Sequence, residues 1–428
     1  MELKPRNTQT QVKHLILKKY LAAWGGIILH GLRNKIARTR SNAFKIHFVY
    51  VDGFAFCGRY KGDTSVFLEK PSSVIVFGSP IIGVRALDDL QSFAQEKYAI
   101  DIQVNAILVE KERGVFDELK QSLQMAGMGK RVKETDDFDS LSNGQIALLH
   151  EDFCKIAQRI CTYTRQDYKF SFYFLDPYGP SGIPFSIVGE IIRQQRTDVM
   201  INFPYQDLHR KAGLLEKPDI SLKTFKHIQH YDAMYGDEQW QEVYREAVSR
   251  GYNSREIEMT LVDLYYKALQ RADPTLAIKY VRLQFPDRNR TMFYLFLTTH
   301  DPTGALKINE ILDEAKLREF ELRQHYQSLK EIRKAREKGQ LVLEGVLESA
   351  FSQRIAQTPS SRCNAKVIAD EIYDNFRGRN VPFREVLRTL ANSPYYYNDI
   401  KKAMKILKDR GLVKYKHLRN DAEIEFKG

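Results

Sequence analysis

The spacing of hydrophobic positions changes several times along the chain, and each change predicts an element. From residue 12 to about residue 34, apolar side chains recur at helical spacing, which predicts a helix interrupted near Gly25 and Gly26. Residues 45–51 are rich in β-branched and aromatic side chains, which is typical of a strand. Further strands are predicted at 103–109, 145–149, 170–175 and 198–203, with helices between them at 79–97, 113–125, 154–164 and 185–195. This alternation predicts an α/β fold with a largely parallel, doubly wound sheet.

The alternation stops after residue 203. Residues from about 205 to 270 are polar, aromatic and helical in pattern, which predicts a helical insertion. Two apolar runs then follow at 279–284 and 292–299, and their short connection predicts an antiparallel last strand at the sheet edge. The predicted organisation is an N-terminal helical region at 1–44, an α/β domain at 45–315, a charged linker helix at 316–340 and a C-terminal domain at 341–428.

Charge and composition narrow the class of protein. The 428 residues include 66 Lys and Arg against 54 Asp and Glu, and the net charge of +12 favours a polyanionic partner such as nucleic acid. No run approaches the roughly 18 apolar residues of a membrane span, and the basic N-terminus lacks the cleavage site of a signal peptide. The four cysteines are too scattered for a disulfide framework or a zinc cluster, so no metal is expected. We therefore expect a cytoplasmic protein without a membrane partner.

Four predicted strands end in polar or glycine-containing turns, where open parallel sheets bind their ligands. The residues are Asp52, Gly53, Phe54 and Gly58 after the first strand, Glu110 after the second, Asp152 and Phe153 after the third, and Asp176, Pro177 and Tyr178 after the fourth. Glycines let backbone amides approach a ligand closely, and an acid after the second strand can accept hydrogen bonds from ribose. Each feature alone is also compatible with an ordinary turn or a helix cap. Together they favour a nucleoside-type cofactor.

The order of these motifs resembles the three-Cys-motif partner proteins. The likeness is carried by Asp-Gly-Phe-Ala-x-x-Gly-Arg-Tyr at 52–60, Gly-Ser-Pro at 78–80 and Leu-Asp-Pro-Tyr-Gly-x-x-Gly-Ile-Pro at 175–184. An N-terminal Lys-His-x-Ile-Leu-x-x-Tyr-x-x-x-Trp at 13–24 and Ile-Asn-Phe at 201–203 also fit this family. The resemblance covers most of residues 12–330.

This family is similar to class I S-adenosylmethionine-dependent methyltransferases, so the resemblance implies that cofactor and a Rossmann-like methyltransferase sheet with an antiparallel last strand. It implies that the loop from Asp52 to Gly58 holds the methionine part of the cofactor, that Glu110 holds the ribose, and that Asp152 and Phe153 hold the adenine. The segment from Asp176 to Tyr178 is similar to the motif with which some methyltransferases hold an exocyclic base amine and stack on the flipped base. Phe56 stands where the family usually has glycine.

The C-terminal region predicts a different unit. Helical patterns at 366–376, 383–390 and 398–409 precede a short hairpin, which is the layout of a winged helix-turn-helix; a further helical pattern lies at 341–355. Basic residues of the last helix and the hairpin would face nucleic acid: Lys401, Lys402, Lys405, Lys408, Lys414, Lys416 and Arg419. Three tyrosines, at 395–397, could donate hydrogen bonds to phosphates. Winged helices also mediate protein contacts, so this alternative stays open.

Two functions follow from these features. The first is transfer of a methyl group from S-adenosylmethionine to an exocyclic amine of a nucleic-acid base, with Asp176, Pro177 and Tyr178 as the catalytic residues. The second is a catalytically inactive, nucleic-acid-binding scaffold with the same fold. It would act with a genetically linked three-Cys-motif partner protein in a mobile element or in phage defence, and Phe56 favours it.

Overall fold

The structure is a computed structural model, and it describes residues 3–38, 46–63, 74–177, 182–213, 215, 222–338 and 364–428. The strands are β1 (His47–Asp52), β2 (Arg59–Lys61), β3 (Ile75–Phe77), β4 (Gln103–Val109), β5 (Val132–Lys133), β6 (Ile146–Leu149), β7 (Lys169–Leu175), β8 (Thr197–Phe203), β9 (Ala277–Gln284), β10 (Thr291–Thr299), β11 (Asn380–Pro382), β12 (Val413–Lys414) and β13 (Glu423–Phe426). The helices are α1 (Thr8–Arg38), α2 (Ser79–Tyr98), α3 (Arg113–Met125), α4 (Phe153–Thr164), α5 (Phe185–Ile192), α6 (Tyr205–Ala212), α7 (Leu222–Tyr235), α8 (Gln239–Ser249), α9 (Ser254–Ala272), α10 (Pro302–Glu337), α11 (Ala365–Phe376), α12 (Phe383–Thr389) and α13 (Tyr397–Asp409).

The central sheet has the strand order β5-β6-β4-β1-β7-β8-β10-β9. The strands from β5 to β8 are parallel, and β10 runs antiparallel to both of its neighbours, β8 and β9. The chain builds outward from β1 in one direction through β4 and β6, and in the other through β7 and β8. The order therefore switches between β1 and β7, and the prediction of a Rossmann-like methyltransferase sheet with an antiparallel last strand is confirmed. The position of that strand at the sheet edge is wrong, because β10 lies between β8 and β9 and β9 forms the edge.

Both faces of the sheet are buried, as β1 shows. Phe48 and Tyr50 pack into one core together with residues of α1, α2, α3 and α10. Val49 and Val51 pack into the other core with residues of α4, α5 and the segment from α6 to α9. Because successive strand residues point to opposite faces, a continuous apolar run is what a sheet covered on both sides requires.

The N-terminal helix differs from its prediction. It is continuous from Thr8 to Arg38 and is not interrupted at Gly25 and Gly26. Gly25 packs against α2, where an added Cβ would lie 2.5 Å from the two Cδ atoms of Leu90. The glycine thus serves close packing of two helices, which local propensity does not reveal.

Helix α1 is also long and apolar enough, over Thr8–Leu32, to cross a membrane by length and composition alone. In the structure its apolar side chains, among them Ile16, Tyr20 and Trp24, are buried against the sheet and α2. Of the most apolar window of the helix, 39% is buried within the protein.

The segment between β8 and β9 contains helices α6 to α9, which cover the stretch predicted as a helical insertion. After β10 the chain enters α10, a single helix that begins at Pro302. The predicted boundary between residues 315 and 316 falls inside this helix, so a linker helix that starts at 316 is wrong. The reason is tertiary: Ala305, Ile308 and Ile311 bury the first turns of α10 in the α/β core.

The C-terminal unit contains α11, α12 and α13 and a three-stranded sheet of order β11-β13-β12. Its own core includes Ile368, Val386, Met404 and Ile424, and Leu306 of α10 joins that core. Strand β11 pairs with β13 and was missed by the sequence patterns, since it has only three residues. The predicted helix at 341–355 lies outside the described residues. The elements occur in the order that a winged helix-turn-helix requires, and that identification stays a prediction.

Candidate functional site

The strand register brings the predicted acids to one edge of the sheet. Asp52 ends β1 and lies opposite Leu108 of β4 and Phe174 of β7. Glu110 and Asp176 follow those two strand residues by two positions, at the carboxyl ends of β4 and β7. The site is thus centred on the switch between β1 and β7, which is where doubly wound sheets bind ligands.

Asp52 is fully buried. Its carboxyl accepts hydrogen bonds from the Tyr50 hydroxyl at 3.2 Å and from the Phe54 amide at 3.3 Å. Burial raises the pKa of Asp52 to about 7, although the hydrogen bonds from Ser79, Phe54 and Tyr50 oppose this shift. The carboxyl therefore organises the loop that follows β1 and does not present an open charge to solvent.

The loop after β1 folds back on the sheet. The Gly53 amide donates to the carbonyl of Phe174, and the Ala55 amide donates to the carbonyl of Val109. A Cβ on Gly53 would lie 3.0 Å from the Phe153 ring, and Gly58, at a φ of +70°, would place one 2.8 Å from Leu119. Both predicted glycines are therefore needed for close packing within the protein. Phe56 also has a positive φ, 51°, which is unusual for a residue with a side chain.

Glu110 is buried beside this loop. Its carboxylate accepts a 2.8 Å hydrogen bond from the Glu112 amide and another from the Phe56 amide. Burial raises the pKa of Glu110. The predicted ribose acceptor thus holds the loop in place through Phe56. A carboxylate has about four acceptor positions, so it retains capacity for a further donor.

Asp152 and Phe153 lie where β6 leads into α4. The Asp152 side chain caps the helix by accepting a hydrogen bond from the Cys154 amide at 2.9 Å. The Phe153 ring is buried and packs 5.5 Å from that of Phe54. Asp152 thus has the role of a helix cap in this structure, and the adenine contact expected of it remains a prediction.

Asp176 is more accessible than Asp52 and Glu110, with 21% of its side chain exposed. Its Oδ2 lies 2.5 Å from Nζ of Lys13 on α1. Its Oδ1 accepts a 2.7 Å hydrogen bond from the side-chain amide of Asn202 on β8. Pro177 is buried, and Tyr178 lies outside the described residues. The two donors fix the orientation of the carboxylate at the mouth of the site.

Sequence patterns did not assign a role to Lys13. Its side chain is 9% exposed, and its ammonium also lies 4.7 Å from the ring centroid of Phe293. The ring centroid of the neighbouring residue, His14, lies 5.8 Å from that of Tyr60. Burial, followed by the charges of Arg6 and Lys13, lowers the pKa of His14. The only available signal was the Lys-His pair in the N-terminal motif, because 163 residues separate Lys13 from Asp176.

These residues fit S-adenosylmethionine in part. Glu110 and Asp152 lie at adjacent strand ends with carboxylate acceptors, which suits the hydroxyl and amine donors of an adenosine group. Asp176 is partly exposed at the end of β7, which β1 separates from β4. Asp52 is sealed behind its own loop, so it would act on a cofactor only through the backbone amides that it positions.

The predicted nucleic-acid-binding residues do not share one face of the C-terminal unit. Lys401 and Arg419 line a large cleft toward the α/β domain. Lys414 and Lys416 line a separate surface depression. Lys402 forms an ion pair with Asp399, and the Lys408 ammonium donates a hydrogen bond to the carbonyl of Tyr415. Lys405 is exposed on α13. The hydroxyls of Tyr395 and Tyr396 donate to Glu371 and Asp313, so these tyrosines anchor the unit and are not set to donate to phosphates.

Comparison with known proteins leaves the family open. No family model matches the chain, and no curated protein gives a significant match. A solved structure of a Legionella pneumophila protein of the family DUF519 aligns with 72% of this chain and 91% of its own, at 12% identity and a TM-score of 0.37. A putative O-methyltransferase from Klebsiella pneumoniae aligns with 66% of this chain and 89% of its own, at 11% identity and a TM-score of 0.27. The strand order of the central sheet is that of a Rossmann-like methyltransferase fold, and membership of the three-Cys-motif partner family stays a prediction.

Proposed function

We propose that this chain is a methyltransferase that uses S-adenosylmethionine and acts on an exocyclic amine of a nucleic-acid base. The observation that carries the proposal is the placement of Asp176. Its carboxylate stands at the carboxyl end of β7, beside the switch in strand order, and is oriented by Lys13 and Asn202. A partly exposed acceptor at this point suits an amine that must be held in one orientation.

S-adenosylmethionine would supply an electrophilic methyl group. Asp176 would accept a hydrogen bond from the target amine, which orients the nitrogen lone pair and holds the hydrogen that the nitrogen loses when it gains the methyl group. Tyr178 would stack on the base, as its place in the motif implies. Glu110 and Asp152 would hold the adenosine part of the cofactor.

A second candidate is a scaffold without catalysis that acts with a genetically linked three-Cys-motif partner protein. Two contacts favour it. The carboxylate of Glu110 accepts hydrogen bonds from the protein's own loop, at Phe56 and Glu112. Lys13 places an ammonium against Asp176, where a substrate amine would donate. In this case the fold would serve nucleic-acid binding alone, for which the net charge of +12 is suited. Under either function we expect a cytoplasmic location.

Calorimetric titration of S-adenosylmethionine into the full chain separates the two functions. We expect micromolar binding, weakened at least tenfold in Glu110→Gln and unchanged in Glu112→Gln, since Glu112 is exposed and contributes only its backbone amide. The absence of binding in a folded protein would rule out methyl transfer and leave the scaffold.

Transfer of labelled methyl groups to DNA and RNA oligonucleotides tests the catalytic role. We expect Asp176→Asn to lower the rate about 100-fold or more, as the loss of one positioned polar group does in other enzymes. Its affinity for S-adenosylmethionine should stay within threefold. Asp207→Asn is the control, because Asp207 pairs with Arg210 within α6. Equal activity in both variants would exclude Asp176 as the residue that holds the amine.

A further inference from the structure

A large cleft lies at the amino ends of the sheet strands, whereas the site described above lies at their carboxyl ends. It has a volume of about 1610 Å³ and is enclosed by α1, the end of α2, the amino ends of β7 and β8, and the C-terminal unit. Phe170 lines this cleft near the start of β7, whereas Asp176 follows the end of that strand. Six residues of strand span about 20 Å, so the cleft and the methyl-transfer site are separate places.

The C-terminal unit is fixed against the α/β domain, which gives the cleft a defined shape. The Ile278 amide donates to Oδ1 of Asn392 at 3.0 Å. The side-chain amide of Asn309 on α10 donates to the carbonyls of Ser393 and Tyr395, at 2.9 and 2.7 Å. Leu306 of α10 completes the hydrophobic core of the unit. These contacts hold α12 and α13 over the amino edge of the sheet.

The walls of the cleft are basic on both sides. Two of the cations belong to the α/β domain and four to the C-terminal unit: Lys97, Arg196, Arg384, Arg388, Lys401 and Arg419. All six side chains are exposed. Arg384 and Arg419 come together because the Arg384 amide donates to the carbonyl of Asn420. Four acids also line the cleft: Asp198, Asp301, Glu310 and Asp421. Asp198 is buried and Glu310 is paired with Lys307, so the lysines and arginines outnumber the accessible acids.

Aromatic rings stand beside these cations. The ammonium of Lys97 lies 4.9 Å from the ring of Phe93 and 5.8 Å from that of Tyr98, and Lys401 lies 5.1 Å from Tyr397. These three rings are partly exposed and line the cleft. A basic groove with accessible aromatic rings is the arrangement that binds single strands, because cations contact phosphates and rings stack on bases.

We propose that this cleft binds single-stranded nucleic acid, and that Lys97, Arg384, Lys401 and Arg419 contact its phosphates. The volume exceeds the roughly 300–1,000 Å³ of a small-molecule pocket, so the cleft has room for an occupant larger than a metabolite. The cations face inward between two units, and a duplex would need them on an open surface such as that of Lys405, Lys414 and Lys416. The inference extends the nucleic-acid part of the proposed function and does not depend on methyl transfer.

Two variants of the full chain test the cleft with equal loss of charge. The cleft variant carries Lys97→Ala, Arg384→Ala and Arg419→Ala. The outer variant carries Lys405→Ala, Lys414→Ala and Lys416→Ala, on the surface that a winged helix would use. Binding of a fluorescein-labelled 20-nucleotide single strand, in DNA and RNA form, and of the matching duplex is measured by anisotropy over a range of salt concentrations. Circular dichroism melting verifies that both variants are folded.

We expect the cleft variant to bind the single strand at least tenfold more weakly. The slope of the logarithm of the binding constant against the logarithm of the salt concentration should also be smaller in magnitude by about two. The outer variant should bind within threefold of the unaltered chain. Tighter binding of the duplex, or loss of binding in the outer variant alone, would overturn the proposal. Titration of S-adenosylmethionine into the cleft variant separates the two claims. If the chain binds the single strand in the cleft without binding the cofactor, the proposed function fails and this inference stands.

Discussion

The ammonium of Lys13 lies 2.5 Å from Oδ2 of Asp176, so the N-terminal helix supplies the counter-ion of the carboxylate at the end of β7. Both side chains are largely shielded from solvent, with exposed fractions of 9% and 21%. The loss of one partner from such a pair destabilises a protein more than the loss of one partner from a surface ion pair, because the remaining charge is left poorly solvated. The helix is thereby part of the candidate site as well as of the core.

We expect Lys13→Met to lower the free energy of unfolding by about 1–3 kcal/mol, since Asp176 would lose its charged partner. The methionine would keep an apolar stem over Phe293. Urea unfolding measures the effect. Lys19→Met is the control on the same helix: Lys19 pairs with Glu314, but the two side chains are 38% and 51% exposed, so less than about 1 kcal/mol is expected. Equal losses in both variants would contradict a buried role for Lys13.

Tyr50 links the packing of α2 to the site, and Gly83 makes that packing possible. A Cβ on Gly83 would lie 2.1 Å from the Tyr50 ring, whose hydroxyl donates to Asp52. We expect Gly83→Ala to destabilise the protein by about 1–3 kcal/mol despite the higher helix propensity of alanine. Gly26→Ala is the control, because no atom lies within 4 Å of its added Cβ; a gain of about 0.5–1 kcal/mol is expected there. Denaturant midpoints decide between the two outcomes.

Local pattern was sufficient for the parts of the fold that are buried on both sides. The strands β1, β4, β7 and β8 are largely apolar runs, and their order with the intervening helices predicted the parallel sheet. The acids Asp52, Glu110 and Asp176 could be placed at one edge for the same reason, since carboxyl ends of parallel strands meet there.

Long-range contacts were beyond the sequence. Gly25 and Gly26 predicted a break in α1, yet Gly25 fits against Leu90 of a helix that comes much later in the chain. The first turns of α10 are buried in the α/β core, so their apolar pattern was assigned to that domain and not to the helix that continues to Glu337. The C-terminal unit is held by hydrogen bonds such as that from the side-chain amide of Asn309 to the carbonyl of Ser393. The spacing of residues in the sequence does not reveal such contacts. That docking divides the basic residues between a cleft and an outer surface.

The stability of the protein should depend on pH through Asp198, which accepts a 2.6 Å hydrogen bond from the Tyr20 hydroxyl. Burial raises the pKa of Asp198 to about 7. Between about pH 4 and pH 7 the folded state then binds more protons at this residue than the unfolded state does, so its contribution to stability falls as the pH rises.

From pH 5 to pH 8 the free energy of unfolding of the unaltered protein should fall further than that of the Asp198→Asn variant. The difference between the two decreases should be on the order of 2–4 kcal/mol. Thermal melting at both pH values, compared between the two proteins, isolates this residue from the other titrating groups. Asp167→Asn should leave the pH dependence unchanged, because 86% of the Asp167 side chain is exposed. If Asp198→Asn followed the pH dependence of the unaltered protein, the folded pKa of Asp198 would not be raised.

Phe56 lies in the loop after β1 that we propose to hold the cofactor. Its φ of 51° is a backbone conformation that costs a residue with a Cβ about 1 kcal/mol. The backbone amide of Phe56 donates a hydrogen bond to the Glu110 carboxylate. We expect Phe56→Gly to relieve this strain, keep the amide contact and tighten the binding of S-adenosylmethionine at least tenfold in calorimetry. Ala99→Gly is the matched control, since Ala99 has a φ of 52° at the exposed end of α2 and should change backbone strain without changing affinity. Weaker binding in Phe56→Gly would instead make the ring a contact of the cofactor, because the aromatic face would then stabilise the bound state.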